Sequence, residues 1–317
     1  MMPCYILSQS NFREGTYREA YLLHERFDPN VVIKVQRFED NDFELDRYEF
    51  VRVDALVMER LSSSPRIADM YGHCATSVNT EFLPDELYPL MIPGQGLGNH
   101  MNDTVDVDPQ NNFTITEKLD LAIRMAESIA DLHGYEGGVL IHDDLQVFQW
   151  LFGPDGTLKL NDFNRAEAML FDEEAGEYCR YHNGHVGGEF RAPEEIVDGL
   201  LNEKIDVFSF GNHIYGLLTG LWVYYEMKTI RAKPKMKKIQ AGELPYVDPR
   251  YRNRNYVQDR LLSLMEQCWK FDPDDRVDIF TALIYLRETK KEATKMGFYD
   301  EQYVHLHFQD WPISDVS

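Results

Sequence analysis

Two apolar segments of this sequence each carry one aspartate. The first is IHDDLQVFQWL, residues 141–151, with Asp144, and the second is LKLNDFNRA, residues 158–166, with Asp162. Each is expected to be a buried strand or a loop beside one. Two acids on neighbouring loops suit magnesium and phosphate chemistry, because carboxylate oxygens bind Mg²⁺ and can also accept a proton. The alternative for Asp144 is an acid that only caps a loop.

Length and charge limit the classes of function. The chain of 317 residues is long enough for one large domain or for two lobes that share a core. Hydrophobic residues make up 44%, which predicts a folded body rather than disorder. The 54 acidic and 32 basic residues give a net charge of −22, which would repel nucleic acid and anionic lipid unless a local basic patch overrides it. We therefore expect a protein partner or substrate and no nucleic acid.

Cysteine usage and hydropathy favour a reduced, cytoplasmic protein. The cysteines lack paired spacing and stand at Cys4, Cys74, Cys179 and Cys268. No stretch reaches the roughly 18 apolar residues of a membrane span, and the N-terminus lacks the pattern of a secretory signal. Cys179, His182 and His185 have the spacing of metal ligands, but we favour ordinary loop residues there over zinc.

The periodicity of hydrophobic residues, together with turn residues, predicts the strands and helices that must position the two acids. Strands are expected at 16–24, 31–36 and 87–92, and helices at 44–61, 203–219, 257–270 and 277–293. Thr114 and Glu117 form a capping box for one further helix. The basic run 231–238 is expected to be a solvated loop beside a helix, with a docking patch for an acidic partner as the alternative. The predicted stripe of the helix 44–61 is Phe50, Val53, Val57 and Leu61.

The order of these signals resembles the protein kinase family from about Phe12 to about Leu286. The matching motifs, in chain order, are VVIK (31–34), IHDDL (141–145), NDFN (161–164), RAPEE (191–195), IDVFSFG (205–211) and CWKFDPDDR (268–276). One such motif would be weak support, but several in the right order are strong. The resemblance implies an α+β, two-lobed protein-kinase-like fold. We expect a strand-rich N-lobe at 1–92, a helical C-lobe at 93–295 and a tail at 296–317.

The resemblance also implies ATP and Mg²⁺ as cofactors and assigns roles to single residues. Lys34 would contact the α- and β-phosphates, braced by Asp54 on the helix 44–61. Asp144 would orient the acceptor hydroxyl and take its proton, while Asp162 would hold magnesium, with Gln149 as a second ligand. Further contacts with the nucleotide would come from Gly15, Met91 and Ile92.

Other residues that match the family have structural roles there. The acid matching Asp206 hydrogen-bonds the catalytic-loop backbone. The pair matching Glu194 and Arg276 clamps the segment that ends in RAPEE.

Several positions depart from the family pattern. In the phosphate loop FREGTYREAYLL only Gly15 is kept, and Arg13 and Arg18 stand where glycines usually let the backbone approach phosphate, although either arginine could contact phosphate directly. In the catalytic loop, Asp143 replaces an arginine and Gln146 a lysine. The remaining exchanges are Gln149 for asparagine and Asn164 for glycine.

Two functions remain open at this point. The first is slow, ATP-dependent phosphoryl transfer to a protein hydroxyl, and the second is a pseudokinase that acts as an interaction scaffold. A small-molecule kinase is a third hypothesis, which the RAPEE motif and the predicted clamp disfavour. Residues 164–191 contain no serine or threonine, and their tyrosines are Tyr178 and Tyr181. We therefore expect that any activity does not need a phosphate in this segment.

Overall fold

The structure is a computed structural model of the chain. It describes residues 10–14, 18–23, 31–36, 45–93, 108–184, 187–227, 229 and 231–299. Gly15 and His185 lie outside the described residues, so their predicted roles are not examined by the structure.

The described residues form strands and helices in an α+β order. The strands are β1 Ser10–Glu14, β2 Arg18–Leu23, β3 Val31–Gln36, β4 Met70–Cys74, β5 Ser77–Glu81, β6 Asp85–Glu86, β7 Val139–Ile141, β8 Trp150–Phe152, β9 Leu158–Leu160, β10 Glu167–Met169, β11 Phe171–Asp172 and β12 Glu177–Tyr178. The α-helices are α1 Leu45–Arg60, α2 Tyr88–Met91, α3 Ile115–His133, α4 Pro193–Ile196, α5 Lys204–Thr219, α6 Ala232–Gln240, α7 Tyr256–Cys268 and α8 Ile279–Lys295. Short 3₁₀ turns lie at Val147–Gln149, Tyr225–Met227, Pro249–Tyr251 and Pro273–Asp275.

The chain divides into two compact units. One comprises Met1–Asp85 with Leu151–Ala166, and the other comprises Glu86–Trp150 with Glu167–Ser317. This division differs from the boundary expected after Ile92. Residues 158–160 belong to the first unit because Leu160 exchanges backbone hydrogen bonds of 2.9 Å with Arg66 and Ala68. Residues 86–92 belong to the second.

The first unit is built on a five-stranded antiparallel sheet in the order β1-β2-β3-β5-β4. The register places Lys34 of β3 between Ala20 of β2 and Val78 of β5. The alternation of Val and Ile with longer side chains explains why 31–36 forms a central strand, as the sequence predicts. This sheet fixes the position of Lys34.

Helix α1 presents a different face to the core from the one that its sequence suggests. The predicted stripe included Phe50 and Val53, yet both are only partly buried. The most buried positions are instead Val51, Asp54, Ala55 and Met58. The face is therefore rotated towards Asp54, and an acid on the inner face of a helix needs a partner.

The second unit is mainly helical. In α5 every residue after Lys204 is buried, which makes this helix the centre of the unit. Helix α3 begins with the predicted capping box, in which Glu117 N–H donates to Thr114 Oγ1 and Thr114 N–H donates to Glu117 Oε2. Two short antiparallel strand pairs, β7 with β10 and β11 with β12, also belong to this unit.

Two local predictions in this unit are wrong. Residues 87–92 contain the helical turn α2 instead of a strand, because Met91 N–H and Ile92 N–H bond to the carbonyls of Leu87 and Tyr88 at 2.9 Å. Residues 231–238 lie mostly within α6 instead of in a loop. There Lys235 is fully buried, with its Nζ 3.0 Å from Glu189 Oε1. Short apolar runs and charged runs are both ambiguous until tertiary contacts are known.

In the described part of the chain, no helix has the length and apolar character needed to cross a membrane.

Candidate active site

The first unit brings the predicted lysine to the loop that carries the second aspartate. Lys34 Nζ donates a hydrogen bond of 2.9 Å to Asn161 Oδ1. Asn161 immediately precedes Asp162, directly after β9. Lys34 and Asp162 were predicted to serve the same phosphate groups, and this hydrogen bond places them in one cluster of the first unit.

Asp162 has an unusual backbone and an accessible side chain. Its φ is +67°, a left-handed conformation that costs a non-glycine residue roughly 1–2 kcal/mol. The carboxylate is 34% exposed, whereas the following Phe163 is fully buried and anchors the loop. The loop is therefore held in a costly conformation that turns an acid towards solvent, as an oxygen ligand for a cation requires.

Asp54 pairs with an arginine rather than with Lys34, which corrects the predicted brace. Arg18 Nη1 lies 2.7 Å from Asp54 Oδ2, and both side chains are buried. The other carboxylate oxygen, Oδ1, accepts the backbone N–H of Phe163 at 2.7 Å. Aspartate is one methylene shorter than glutamate, which limits its reach to β3. Asp54 is thus a buried acid whose direct ion pair is with Arg18.

The charges around Asp54 affect the pKa of its carboxyl more strongly than its burial does. Burial alone would raise the pKa of this carboxyl, but the positive charges of Arg18 and Lys34, with hydrogen bonds from Arg18 and from the Phe163 N–H, lower it below the ordinary value. Burial would likewise lower the pKa of Arg18, yet the charges of Asp54 and Asp162 raise it. Both groups are therefore ionised at neutral pH, and Arg18 Nη2 lies 3.7 Å from Asp162 Oδ1.

In the second unit, Asp144 follows β7 and is held by two donors. Its Oδ1 accepts hydrogen bonds from Arg191 Nη2 at 2.5 Å and from Gln146 Nε2 at 2.9 Å. The side chain is 19% exposed. Gln146 stands where the family has a lysine, and Arg191 brings a positive charge to the same carboxylate from the RAPEE motif. Asp144 is therefore oriented by the fold and is more than a cap of its own loop.

Asp206 of α5 holds the loop that carries Asp144 by accepting hydrogen bonds from its backbone. Asp206 accepts the backbone N–H of His142 at 2.8 Å and that of Asp143 at 3.1 Å. Its Oδ2 also lies 3.0 Å from His133 Nε2. This is the role that the resemblance implies for Asp206, and it allows Asp143 to keep a φ of +58°.

Asp143 contacts the segment that leads to RAPEE through its carboxylate. Its Oδ1 accepts a hydrogen bond of 2.6 Å from Asn183 Nδ2, in the segment that leads to RAPEE. The family has an arginine at this position, which commonly binds a phosphate. Here the Asn183 amide and, at 3.6 Å, Arg191 Nη1 meet the same carboxylate oxygen, so the loop and the segment are joined without a phosphate.

Arg191 faces several acids at once. Besides Asp144, it contacts Glu195 Oε1 at 3.0 Å and donates to the backbone carbonyl of Asp143. One guanidinium cannot neutralise both carboxylates, and complete burial raises the pKa of Glu195 to about 7, although the Arg191 charge opposes this shift. The cluster therefore contains an acid that titrates near neutral pH.

The remaining predicted contacts are less direct. Gln149 ends the 3₁₀ turn Val147–Gln149 and is mostly buried, and its Nε2 lies 3.5 Å from Asp144 O, at the limit of a hydrogen bond. Met91 and Ile92 are fully buried, and Met91 O accepts from Asn111 Nδ2 at 3.0 Å. Their contact with a nucleotide stays a prediction.

The clamp implied by the resemblance is present. Arg276 Nη1 lies 2.8 Å from Glu194 Oε1 and also donates to Lys204 O at 2.7 Å, and the arginine side chain is fully buried. The described residues hold no group of three or more His, Cys, Asp or Glu placed for a metal ion, but His185 lies outside them, so the interpretation of Cys179, His182 and His185 as loop residues stays a prediction.

Sequence reasoning missed the partners of the acids. The sequence marked Arg18 as a departure from the family pattern and Arg191 as the first residue of the RAPEE motif. It did not indicate that either arginine pairs with an acid. For Arg18 a signal exists in the register: Ala20 lies opposite Lys34, and residues two apart in a strand share a face, so Arg18 and Lys34 point to the same side of the sheet. The pairing of Arg191 with Asp144 has no comparable local signal.

Comparison with known proteins agrees with this geometry. The profile of the family described as protein tyrosine and serine/threonine kinase matches residues 9–285. This match covers most of the chain, and the chain belongs to this family. The predicted α+β kinase-like fold is thereby confirmed.

Named relatives come from both branches of the family. The chain is 25% identical to a probable serine/threonine-protein kinase of Dictyostelium discoideum over 83% of the chain and 28% of that protein. It is 24% identical to a serine/threonine-protein kinase of Arabidopsis thaliana over 89% of the chain and 43% of the relative. A human tyrosine-protein kinase is 26% identical over 73% of the chain and 41% of its own length. The chain thus spans less than half the length of each of these relatives.

Proposed function

We propose that the protein binds ATP with Mg²⁺ and transfers the terminal phosphoryl group to a hydroxyl group of a protein. The observation that best supports this proposal is that Lys34, Asp144 and Asp162 are all kept and that each has a polar or charged partner, namely Asn161, Arg191 and Arg18. Catalysis of phosphoryl transfer consists mainly of positioning and charge stabilisation, so such contacts are what the reaction needs.

The residues of the first unit would bind the nucleotide. Lys34 would donate to the α- and β-phosphates by exchanging its bond to Asn161 for one to phosphate oxygen. Asp162 suits Mg²⁺ because its carboxylate is partly exposed and its loop is held rigidly. A bound magnesium ion would supply charge neutralisation of the phosphates. Gln149 would offer an amide oxygen as a second ligand.

Asp144 would act on the acceptor. Its position after β7, with two donors on Oδ1, leaves the carboxylate able to accept a hydrogen bond from a hydroxyl group and to take its proton. The Arg191 charge beside it would stabilise the carboxylate that performs this step. Because several usual polar partners are replaced, we expect turnover to be slow.

A second candidate function is an interaction scaffold without turnover. Its support is that each acid already faces an internal arginine: Asp144 faces Arg191 at 2.5 Å, and Asp162 faces Arg18 at 3.7 Å. A cation in place of a substrate group can hold an acid in an unreactive state.

Phosphate transfer from labelled ATP to the protein itself and to a mixed protein acceptor distinguishes these candidates. Asp144→Asn should reduce transfer at least 100-fold, since the carboxylate cannot then take a proton. Asp275→Asn, an exposed aspartate of the same unit, should leave the rate unchanged. Equal transfer by wild type and Asp144→Asn would refute the kinase proposal. Transfer at background in all three proteins would favour the scaffold.

A further inference from the structure

Arg18 occupies a position that the kinase mechanism does not explain. It is the first residue of β2, and its guanidinium is almost completely buried. It contacts Asp54 of α1 at 2.7 Å and approaches Asp162, after β9, at 3.7 Å. One side chain thus joins a strand, a helix and the loop that carries Asp162 in the first unit.

This cluster holds cations as well as acids. Arg18 and Lys34 are the cations, and Asp54 and Asp162 are the acids that face them. A guanidinium stays charged at all accessible pH values, whereas a metal ion must be captured from solution. Because like charges repel, a divalent cation at Asp162 would have to bind against the positive charge of Arg18.

The guanidinium also has the chemistry to meet phosphate directly. It carries five N–H donors in a planar fork that matches the oxygens of a phosphate group. At 3.7 Å, the approach of Nη2 to Asp162 is an ion pair and too long for a hydrogen bond, so the N–H groups of Nη2 are not committed to that acid. The Asp162 side chain is one-third exposed, so the cluster reaches solvent at this acid.

We propose that Arg18 supplies beside Asp162 the positive charge that a divalent cation otherwise brings, so that the protein binds the polyphosphate of a nucleotide without needing a divalent metal. This inference rests on the nucleotide-binding half of the proposed function. It assigns the metal to the transfer step alone, and it makes Arg18 a binding residue for phosphate.

The test measures binding of ADP, which cannot be turned over, to the purified full chain by calorimetry and by thermal shift. Titrations are run in EDTA and in excess MgCl₂. We expect the two dissociation constants of the wild type to agree within about threefold, because Arg18 already provides the charge. Arg18→Lys keeps the charge and should behave in the same way apart from a modest overall loss.

Removing the charge requires care, because Arg18→Ala alone leaves Asp54 buried without its partner. The double variant Arg18→Ala/Asp54→Asn removes the pair together and should remain folded, as circular dichroism would check. We expect this variant to bind ADP at least tenfold more weakly in EDTA and to recover most of the loss in MgCl₂. Arg52→Ala, which removes an exposed arginine of α1, is the matched control and should match the wild type in both buffers.

Each outcome separates this inference from the proposed function. Wild-type binding that needs Mg²⁺, or unchanged binding by the double variant in EDTA, would overturn the role of Arg18 and leave the kinase proposal standing. Binding in EDTA together with absent phosphate transfer would support the role of Arg18 and refute the kinase proposal. An absence of nucleotide binding in both buffers would refute both.

Discussion

At the scale of single residues, Glu195 links the RAPEE motif to pH. Its carboxyl is completely buried and its pKa is raised to about 7, so the folded protein keeps a proton that the unfolded chain releases near the ordinary value of 4.5. This contribution to stability is fully present below about pH 4.5 and is lost as the pH rises to 7. The shift corresponds to about 3 kcal/mol of unfolding free energy.

We therefore predict that Glu195→Gln becomes more stable relative to the wild type as pH rises. The amide has no proton to lose, so the difference in unfolding free energy should shift in favour of the variant by about 2–3 kcal/mol between about pH 5 and pH 8. Urea unfolding of both proteins at several pH values measures this difference in unfolding free energy. Glu174→Gln, at an exposed position, should show no such trend, and a constant difference for Glu195→Gln would contradict the assignment.

Gln149 is the second residue for which the structure sharpens a prediction. Its contact with the carbonyl of Asp144 is long, at 3.5 Å, and contributes little to stability. Gln149→Asn shortens the side chain by one methylene and should place the amide oxygen better for a second magnesium. We expect several-fold faster phosphate transfer with an almost unchanged melting temperature. The control is Gln110→Asn on the surface, and equal rates in wild type and Gln149→Asn would show that glutamine is not limiting.

At the scale of elements, the clamp between Glu194 and Arg276 should carry much of the stability of the second unit. Arg276 is fully buried and also donates to the carbonyls of Lys204 and Lys270. Arg276→Ala leaves an acid and several carbonyls without their donor, and we expect a loss of about 3–5 kcal/mol in unfolding free energy. Arg287→Ala removes an exposed pair with Glu127 and should cost less than about 1 kcal/mol. Similar losses in chemical denaturation of both variants would show that burial of the clamp is unimportant.

The elements also show which parts of the fold could be predicted from sequence. The strand 31–36 and the capping box of Thr114 and Glu117 depend on neighbouring residues, and both are present as predicted. The run 87–92 was misassigned because six apolar residues fit a buried strand as well as a helical turn, and Pro89 fits the first turn of a helix.

The same contrast holds within the candidate site. Asp144 and Asp162 stand out because each follows an apolar strand, which is a local pattern. The partners of the acids could not be read in the same way. Arg18 meets Asp54 across a large separation in sequence, and their pairing depends on how β2 and α1 pack. Contacts of this kind follow from tertiary structure and have no signature in a single segment.

At the scale of the whole molecule, the net charge of −22 should make the folded state sensitive to salt. Acidic side chains repel one another more strongly in the compact state than in the expanded unfolded chain, and added ions screen this repulsion. We predict that the melting temperature rises between about 20 mM and 300 mM salt. Choline chloride and sodium chloride should act alike if screening is the cause. A flat or falling melting temperature in both salts would contradict this account.

The hydrogen bond between Asn183 and Asp143 has a consequence for signalling. It joins the predicted catalytic loop to a segment without serine or threonine. The donor is the side-chain amide of Asn183, so this contact forms without phosphorylation. If the protein transfers phosphate as proposed, an upstream serine/threonine kinase has no residue at 164–191 with which to turn it on. Within this segment, Tyr178 and Tyr181 would then be the hydroxyl side chains through which phosphorylation reaches the protein, which leaves this route to tyrosine kinases.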